Sequence, residues 1–133
     1  KKLEPIQKLI GGIETILLVE DDDLVRQYAS TQLSQLGYKV ITAPNGSVAL
    51  DIIRNNPDID LLFTDMIMPG GVSGADVTRE ALGIRPELKC LYTSGFTGEA
   101  LSNIEAGQQY IGLLSKPYNR LELSQKIRNA IDS

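Results

Sequence analysis

Short apolar runs recur five times along this chain, each followed by a segment with helical spacing. The first, Thr15-Ile16-Leu17-Leu18-Val19, is apolar without a break after Thr15. A half-exposed strand would alternate, so an unbroken run marks a strand buried on both faces. Further runs fall at about 38–42, 60–64, 88–93 and 110–115. Between the first two, Asp22 or Asp23 can cap a helix carrying Leu24, Val25, Tyr28, Ala29, Leu33 and Leu36 and stopping at Gly37. Helices are also expected over about 48–53, 75–84, 99–106 and 119–131, the last burying Leu123, Ile127, Ala130 and Ile131. Five strands alternating with five helices predict a parallel sheet covered on both sides, and right-handed crossovers make it a doubly wound α/β sandwich.

The 133 residues suit one packed core. Apolar residues at 42% and charged residues at 23% are ordinary for a globular domain, and no apolar run approaches a membrane span. There is no histidine, which excludes histidine metal sites, Ser-His-Asp triads and phosphohistidine chemistry carried by these residues. Cys90 is the lone cysteine, so no internal disulfide forms. Its apolar neighbours Leu88 and Leu91 predict a packing residue, and the composition fits a reducing, cytoplasmic setting. A net charge of −4 argues against a nucleic-acid surface. The domain is expected to occupy 14–133. Residues 1–13 read as a linker or a remnant of excision, or, from the stripe Leu3, Ile6, Leu9, Ile10, as the end of an upstream helix.

Open α/β sheets bind ligands beyond the carboxyl ends of their strands. Here those ends deliver Glu20 and Asp21 from strand one, Asp65 from strand three, Thr93 and Ser94 from strand four and Lys116 from strand five. Clustered carboxylates need a cation, and an all-oxygen set suits Mg²⁺ (or Mn²⁺), which leaves positions open for phosphate oxygens. A carboxylate beside such an ion can attack phosphorus and form an aspartyl phosphate, with the lysine ammonium neutralising the phosphoryl oxygens.

Glu20-Asp21, Asp65 with Met68-Pro69-Gly70, Thr93-Ser94-Gly95 and Lys116-Pro117, in that order, resemble the receiver domain of two-component response regulators. The resemblance spans about 14–132. It implies a flavodoxin-like five-stranded parallel sheet of order 2-1-3-4-5 with five helices. It implies that Asp65 is the phosphoacceptor, and that Asp21 and Asp65 ligate the metal directly, Glu20 mostly through water and Ile67 through its backbone carbonyl. Thr93 becomes the switch hydroxyl, Lys116 pairs with phosphoryl oxygens, and the Lys116-Pro117 bond is cis. The implied partner is a histidine kinase or a histidine phosphotransfer domain, with no direct membrane contact and dimerisation left open. The wording Leu91-Tyr92-Thr93-Ser94-Gly95-Phe96 and Leu113-Leu114-Ser115-Lys116-Pro117-Tyr118 is most similar to C-terminal receivers of hybrid sensor histidine kinases, and an end at Ser133 agrees with that placement. The implied output face lies around the helix at 99–106, the fifth strand and the last helix, with Tyr110 and Leu113 as contacts.

Three positions depart from the pattern. Glu20 stands where aspartate is usual, Leu113 where an aromatic ring usually swings inward, and Gly70-Gly71 lengthens the loop after Asp65 by a residue. Ile67, two residues beyond Asp65, offers no hydrogen bond to an attacking water, so slow self-dephosphorylation is expected. Ile67 also stands where phosphohydrolases that use an aspartyl phosphate carry a general acid, which argues against that class. A nucleotide-binding domain would need a phosphate-cradling loop after strand one in place of Glu20-Asp21-Asp22-Asp23, and an interaction module that takes no phosphate is the remaining alternative.

Overall fold

The unbroken apolar runs pair into one sheet. The computed structural model describes residues 9–66, 68, 73–94 and 112–133. Its elements run β1 (Thr15–Val19), α1 (Asp23–Gln35), β2 (Lys39–Ala43), α2 (Gly46–Asn55), β3 (Leu61–Asp65), α3 (Gly74–Ile84), β4 (Lys89–Ser94), β5 (Gly112–Ser115) and α4 (Arg120–Asp132). All strands are parallel, in the order β2-β1-β3-β4-β5 expected from the resemblance. Four helices are present among the described residues, and the helix expected over 99–106 lies outside them.

Period-two alternation sorts the strand residues onto two cores. Ile16, Leu18, Leu61, Phe63, Leu91 and Leu114 face α1 and α4, where Ala29, Leu33, Leu123, Ile127 and Ala130 meet them. Leu17, Val19, Leu62 and Cys90 face α2 and α3, against Ala49, Leu50, Ile53, Val77 and Ala81. Cys90 is buried, and burial pushes its thiol up to about 12, so it packs and does not react. Side-chain caps start each of the four described helices: Asp22, Asn45, Ser73 and Asn119 each accept a backbone N–H of the first turn. The α1 stripe is narrower than its sequence implies. Leu24 is 77% and Tyr28 54% exposed. They stand four apart on a face rotated away from Ala29 and Leu33, so an apolar spacing compatible with the core does not put them in it.

The chain joins the domain before β1. The buried Ser124 hydroxyl of α4 accepts the Ile10 N–H at 2.8 Å and donates to the Ile10 carbonyl at 3.1 Å. Arg128 donates to the Gly11 carbonyl at 3.2 Å and grips both Glu14 carboxylate oxygens at 3.2 and 2.8 Å. The Gly12 N–H donates to the Leu36 carbonyl at 3.2 Å. Gly37 ends α1 with φ 101°, where a Cβ would be strained and would sit 2.6 Å from the Gly12 carbonyl oxygen. Residues 10–14 thus form a strap across α4 and the end of α1.

Ser124→Ala is expected to leave both Ile10 backbone groups to solvent, costing about 1 kcal/mol in urea denaturation and speeding hydrogen exchange at Ile10. Unchanged exchange there would show that the strap is held by other contacts. The strap is also expected to be pH-sensitive, read by hydrogen exchange at Ile10 as a function of pH: the Arg128 hydrogen bond holds the Glu14 carboxyl below the usual carboxylate range. A lowered folded-state value stabilises fully above the unfolded value and is lost as pH falls through the folded one, so the strap loosens in acid and not in base.

Candidate functional site: an acidic pocket at the strand ends

Strand order reverses at β1, which has β2 on one side and β3 on the other, and the carboxyl ends of β1 and β3 flank that switch point, where open α/β sheets take their ligands. Glu20 and Asp21 follow β1 directly, and Asp65 is the last residue of β3. One carboxylate oxygen from each lies within 4.8 Å of the other two. Glu20 is 3% and Asp65 7% exposed, while Asp21 is open to solvent. The Lys116 ammonium bridges the two buried acids, donating to Glu20 Oε1 at 2.9 Å and to Asp65 Oδ2 at 3.0 Å.

Burial holds the Glu20 carboxyl above its usual range, against the opposing pull of Lys116. Burial pulls the Lys116 ammonium down, but its hydrogen bonds to Glu20 and Asp65 and the attraction of their charges together outweigh this and leave it raised. The lysine is therefore a fixed positive charge in the pocket. Beside it, burial pushes the Tyr118 phenol up to about 12, so it stays neutral.

Backbone pairing aligns the rest. Asp65 lies opposite Thr93 in the β3–β4 register, and the Met66 N–H donates to the Thr93 carbonyl at 2.9 Å. The Lys116 N–H donates to the Ser94 carbonyl at 2.8 Å, and the Lys116-Pro117 bond is cis, as the resemblance implied. Thr93 is 2% exposed, and its hydroxyl has no hydrogen-bond partner among the described residues. A buried hydroxyl without a partner costs about 1–3 kcal/mol, and a phosphoryl oxygen on Asp65 is the kind of acceptor that would satisfy it. Leu113 packs on Met66 and Tyr92, alongside the pocket.

Glu20, Asp21, Asp65, Thr93, Ser94 and Lys116 therefore gather at one edge, as the sequence suggested. Lys116 is bound to Glu20 as well as to Asp65, a pairing the sequence did not reveal. Ile67, whose carbonyl was expected to complete the ligands, lies outside the described residues, as do Gly70, Gly71 and Tyr110. Two contributors were missed. Arg26 Nη1 donates to the Glu20 carbonyl at 2.8 Å. Gly74 starts α3 so close to Asp65 that a Cβ would overlap the Asp65 carbonyl oxygen. Helical side chains lean toward the N-terminus, so an arginine one turn inside a helix is placed to reach back over its cap, a signal that could have found Arg26. Nothing local marks Gly74.

Fold and pocket together define a flavodoxin-like α/β module with an acidic site at the switch in strand order. The chain belongs to the response regulator receiver domain family, whose match covers residues 16–128. The response regulator receiver protein CpdR of Brucella abortus is 32% identical over 119 residues, 90% of this chain and 98% of CpdR. The sensor kinase CckA of the same organism is 30% identical over 133 residues, 99% of this chain but 14% of the kinase. A receiver domain protein from Clostridium thermocellum superposes with a TM-score of 0.82 at 30% identity, covering 90% of this chain and 95% of its own. The receiver domain of the hybrid histidine kinase CckA gives 0.73 at 33% identity, over 88% and 98%. This is a receiver domain of two-component signalling. Receiver domains generally bind Mg²⁺ at an acidic pocket, and Glu20, Asp21 and Asp65 form one here. No helix among the described residues is long and apolar enough to cross a membrane.

Proposed function

We propose that Asp65 accepts a phosphoryl group from a phosphohistidine carried by a histidine kinase or a histidine phosphotransfer domain. An Asp65 carboxylate oxygen forms the new bond to phosphorus, the bond from phosphorus to the imidazole nitrogen breaks with its electron pair going to that nitrogen, and the donor ring, protonated on its other nitrogen, leaves as neutral histidine. The observation that carries the reading is the gathering of three carboxylates within 4.8 Å, two of them bridged by one ammonium. Such a cluster suits a hard divalent cation, Mg²⁺ or Mn²⁺, held by Asp21 and Asp65 with Glu20 behind them. The cation would neutralise charge on the phosphoryl oxygens. Lys116 moves its hydrogen bond from Asp65 to those oxygens, and Thr93 donates its hydroxyl to one of them. The state change follows from those two movements, which draw the end of β4 and the loop after β5 toward Asp65.

The similarity to CckA supports a place within a hybrid histidine kinase, in the cytoplasm. The match over nearly all of CpdR favours a free-standing receiver as the second reading. Incubation with acetyl phosphate and Mg²⁺, followed by intact mass measurement, is expected to show one added phosphoryl group that maps to Asp65 and fails to appear with EDTA. Continuous release of phosphate without a lasting adduct would make the domain a hydrolase. No adduct at all would make it an interaction module.

A further inference from the structure

Arg26 lies one turn inside α1, away from the reacting atoms, yet its guanidinium closes the loop that carries two of the pocket's acids. Nη1 donates to the Glu20 backbone carbonyl at 2.8 Å, and Nη2 pairs with Asp23. The rest of the loop is tied in the same ring. The Asp22 N–H donates to Glu20 Oε2 at 3.1 Å, and Asp22 Oδ1 accepts the Leu24 and Val25 N–H groups at 2.9 and 3.0 Å. The Glu20 N–H donates to the Ala43 carbonyl at 3.1 Å. Arg26 therefore fixes the peptide between Glu20 and Asp21. The turn of that peptide sets where the exposed Asp21 carboxylate stands relative to Asp65.

The Asp23 pair does little of this work, since Asp23 is 85% exposed and such pairs contribute little. The arginine side chain itself is only 20% exposed, and its bond to a backbone carbonyl is the contact that constrains the loop. We propose that Arg26 is a positioning residue for the divalent-cation site, acting through the Glu20 carbonyl to hold Asp21 in ligating geometry. The proposal rests on the metal-dependent reading above and deepens it.

Charge alone and positioning make opposite predictions. A guanidinium near the acids repels a second cation, so if charge were its only effect, removing it would tighten Mg²⁺ binding. If it positions Asp21, removing it weakens binding, and partners outside the ligand set typically govern about 10–100-fold in affinity. The variants are Arg26→Met, which keeps the apolar stem without donors, and Arg26→Lys, which keeps the charge and a donor that reaches one carbonyl.

Calorimetric titration of each with MgCl₂ is expected to show affinity lower by about tenfold in Arg26→Met and partly restored in Arg26→Lys. Hydrogen exchange in EDTA reads the loop without metal: the Asp22 amide should exchange faster in Arg26→Met and recover in Arg26→Lys. Equal or tighter Mg²⁺ binding by Arg26→Met overturns the proposal, and so does unchanged exchange at Asp22. A wild type that takes no Mg²⁺ overturns the functional reading, and the proposal with it. Wild-type binding alongside an unaffected variant overturns the proposal alone.

Discussion

Asp65→Asn is expected to end phosphoryl acceptance outright while making the metal-free domain more stable by about 1 kcal/mol. The two effects have one source. The Asp65 carboxylate stands within 4.8 Å of those of Glu20 and Asp21, which repel it, and is held by the Lys116 ammonium, which attracts it. Asparagine removes the charge and keeps an oxygen that can accept from Lys116, which stays paired with Glu20 at 2.9 Å. The repulsion disappears while the hydrogen bond survives. Like charges about 4 Å apart repel by roughly 1 kcal/mol in water and 4 near a protein surface, and the exposure of Asp21 keeps the net gain near the lower figure. Magnesium should reverse the order: at a hundred times its dissociation constant it stabilises the wild type by about 2.7 kcal/mol, and the variant by less, having lost a ligand. Urea denaturation in EDTA and in Mg²⁺ measures both. If the variant is the weaker protein in EDTA, the Lys116 attraction outweighs the crowding, and the account of a pocket strained until it holds a cation is wrong.

Such a pocket is unusually legible in sequence because a parallel sheet buried on both faces leaves few places for charge. In β1 the run Ile16-Leu17-Leu18-Val19 breaks at Glu20, and in β3 Leu61-Leu62-Phe63-Thr64 breaks at Asp65, so the first acid after each run must sit at the mouth of the sheet. Lys116 follows in the same way as the first charge after β5, and Thr93 from its place at the carboxyl end of β4. What escaped is whatever depends on a partner far away in the chain. Ile10 looks like a linker residue until Ser124, at the other end of the sequence, supplies both of its hydrogen bonds. Leu24 and Tyr28 look like core residues until α1 is laid on the sheet and its buried stripe runs through Ala29 and Leu33 instead. Lys116 reads as a phosphate ligand, and only the folded pocket shows it already committed to Glu20. Periodicity and end position are local properties, whereas a close approach between two backbones leaves no pattern in either.

Gly74→Ala is a sharper probe of that last kind of contact, and its expected cost is about 2 kcal/mol together with a loss of tenfold or more in the rate of phosphorylation. The Gly74 N–H donates to the Met66 carbonyl at 3.0 Å, and its own carbonyl accepts the Thr78 hydroxyl at 2.9 Å. An added Cβ would overlap the Asp65 carbonyl oxygen and lie 2.8 Å from Met66 Cα. These are backbone atoms, and they cannot retreat easily: the Met66 N–H is bonded to Thr93 at 2.9 Å and the Asp65 carbonyl accepts the Thr64 hydroxyl at 3.1 Å. Relief must come from moving the start of α3 or the end of β3, and the second displaces Asp65, the proposed phosphoacceptor. Gly83, in the same helix, is the control. A Cβ there meets nothing within 4 Å, so Gly83→Ala should stabilise by about 0.5–1 kcal/mol through the unfolded chain and leave phosphorylation untouched. Opposite signs for one substitution at two sites of one helix separate helix propensity from the close approach. If both variants gain stability and both phosphorylate at the wild-type rate, α3 does not bear on the Asp65 backbone, and the placement of Asp65 needs another support.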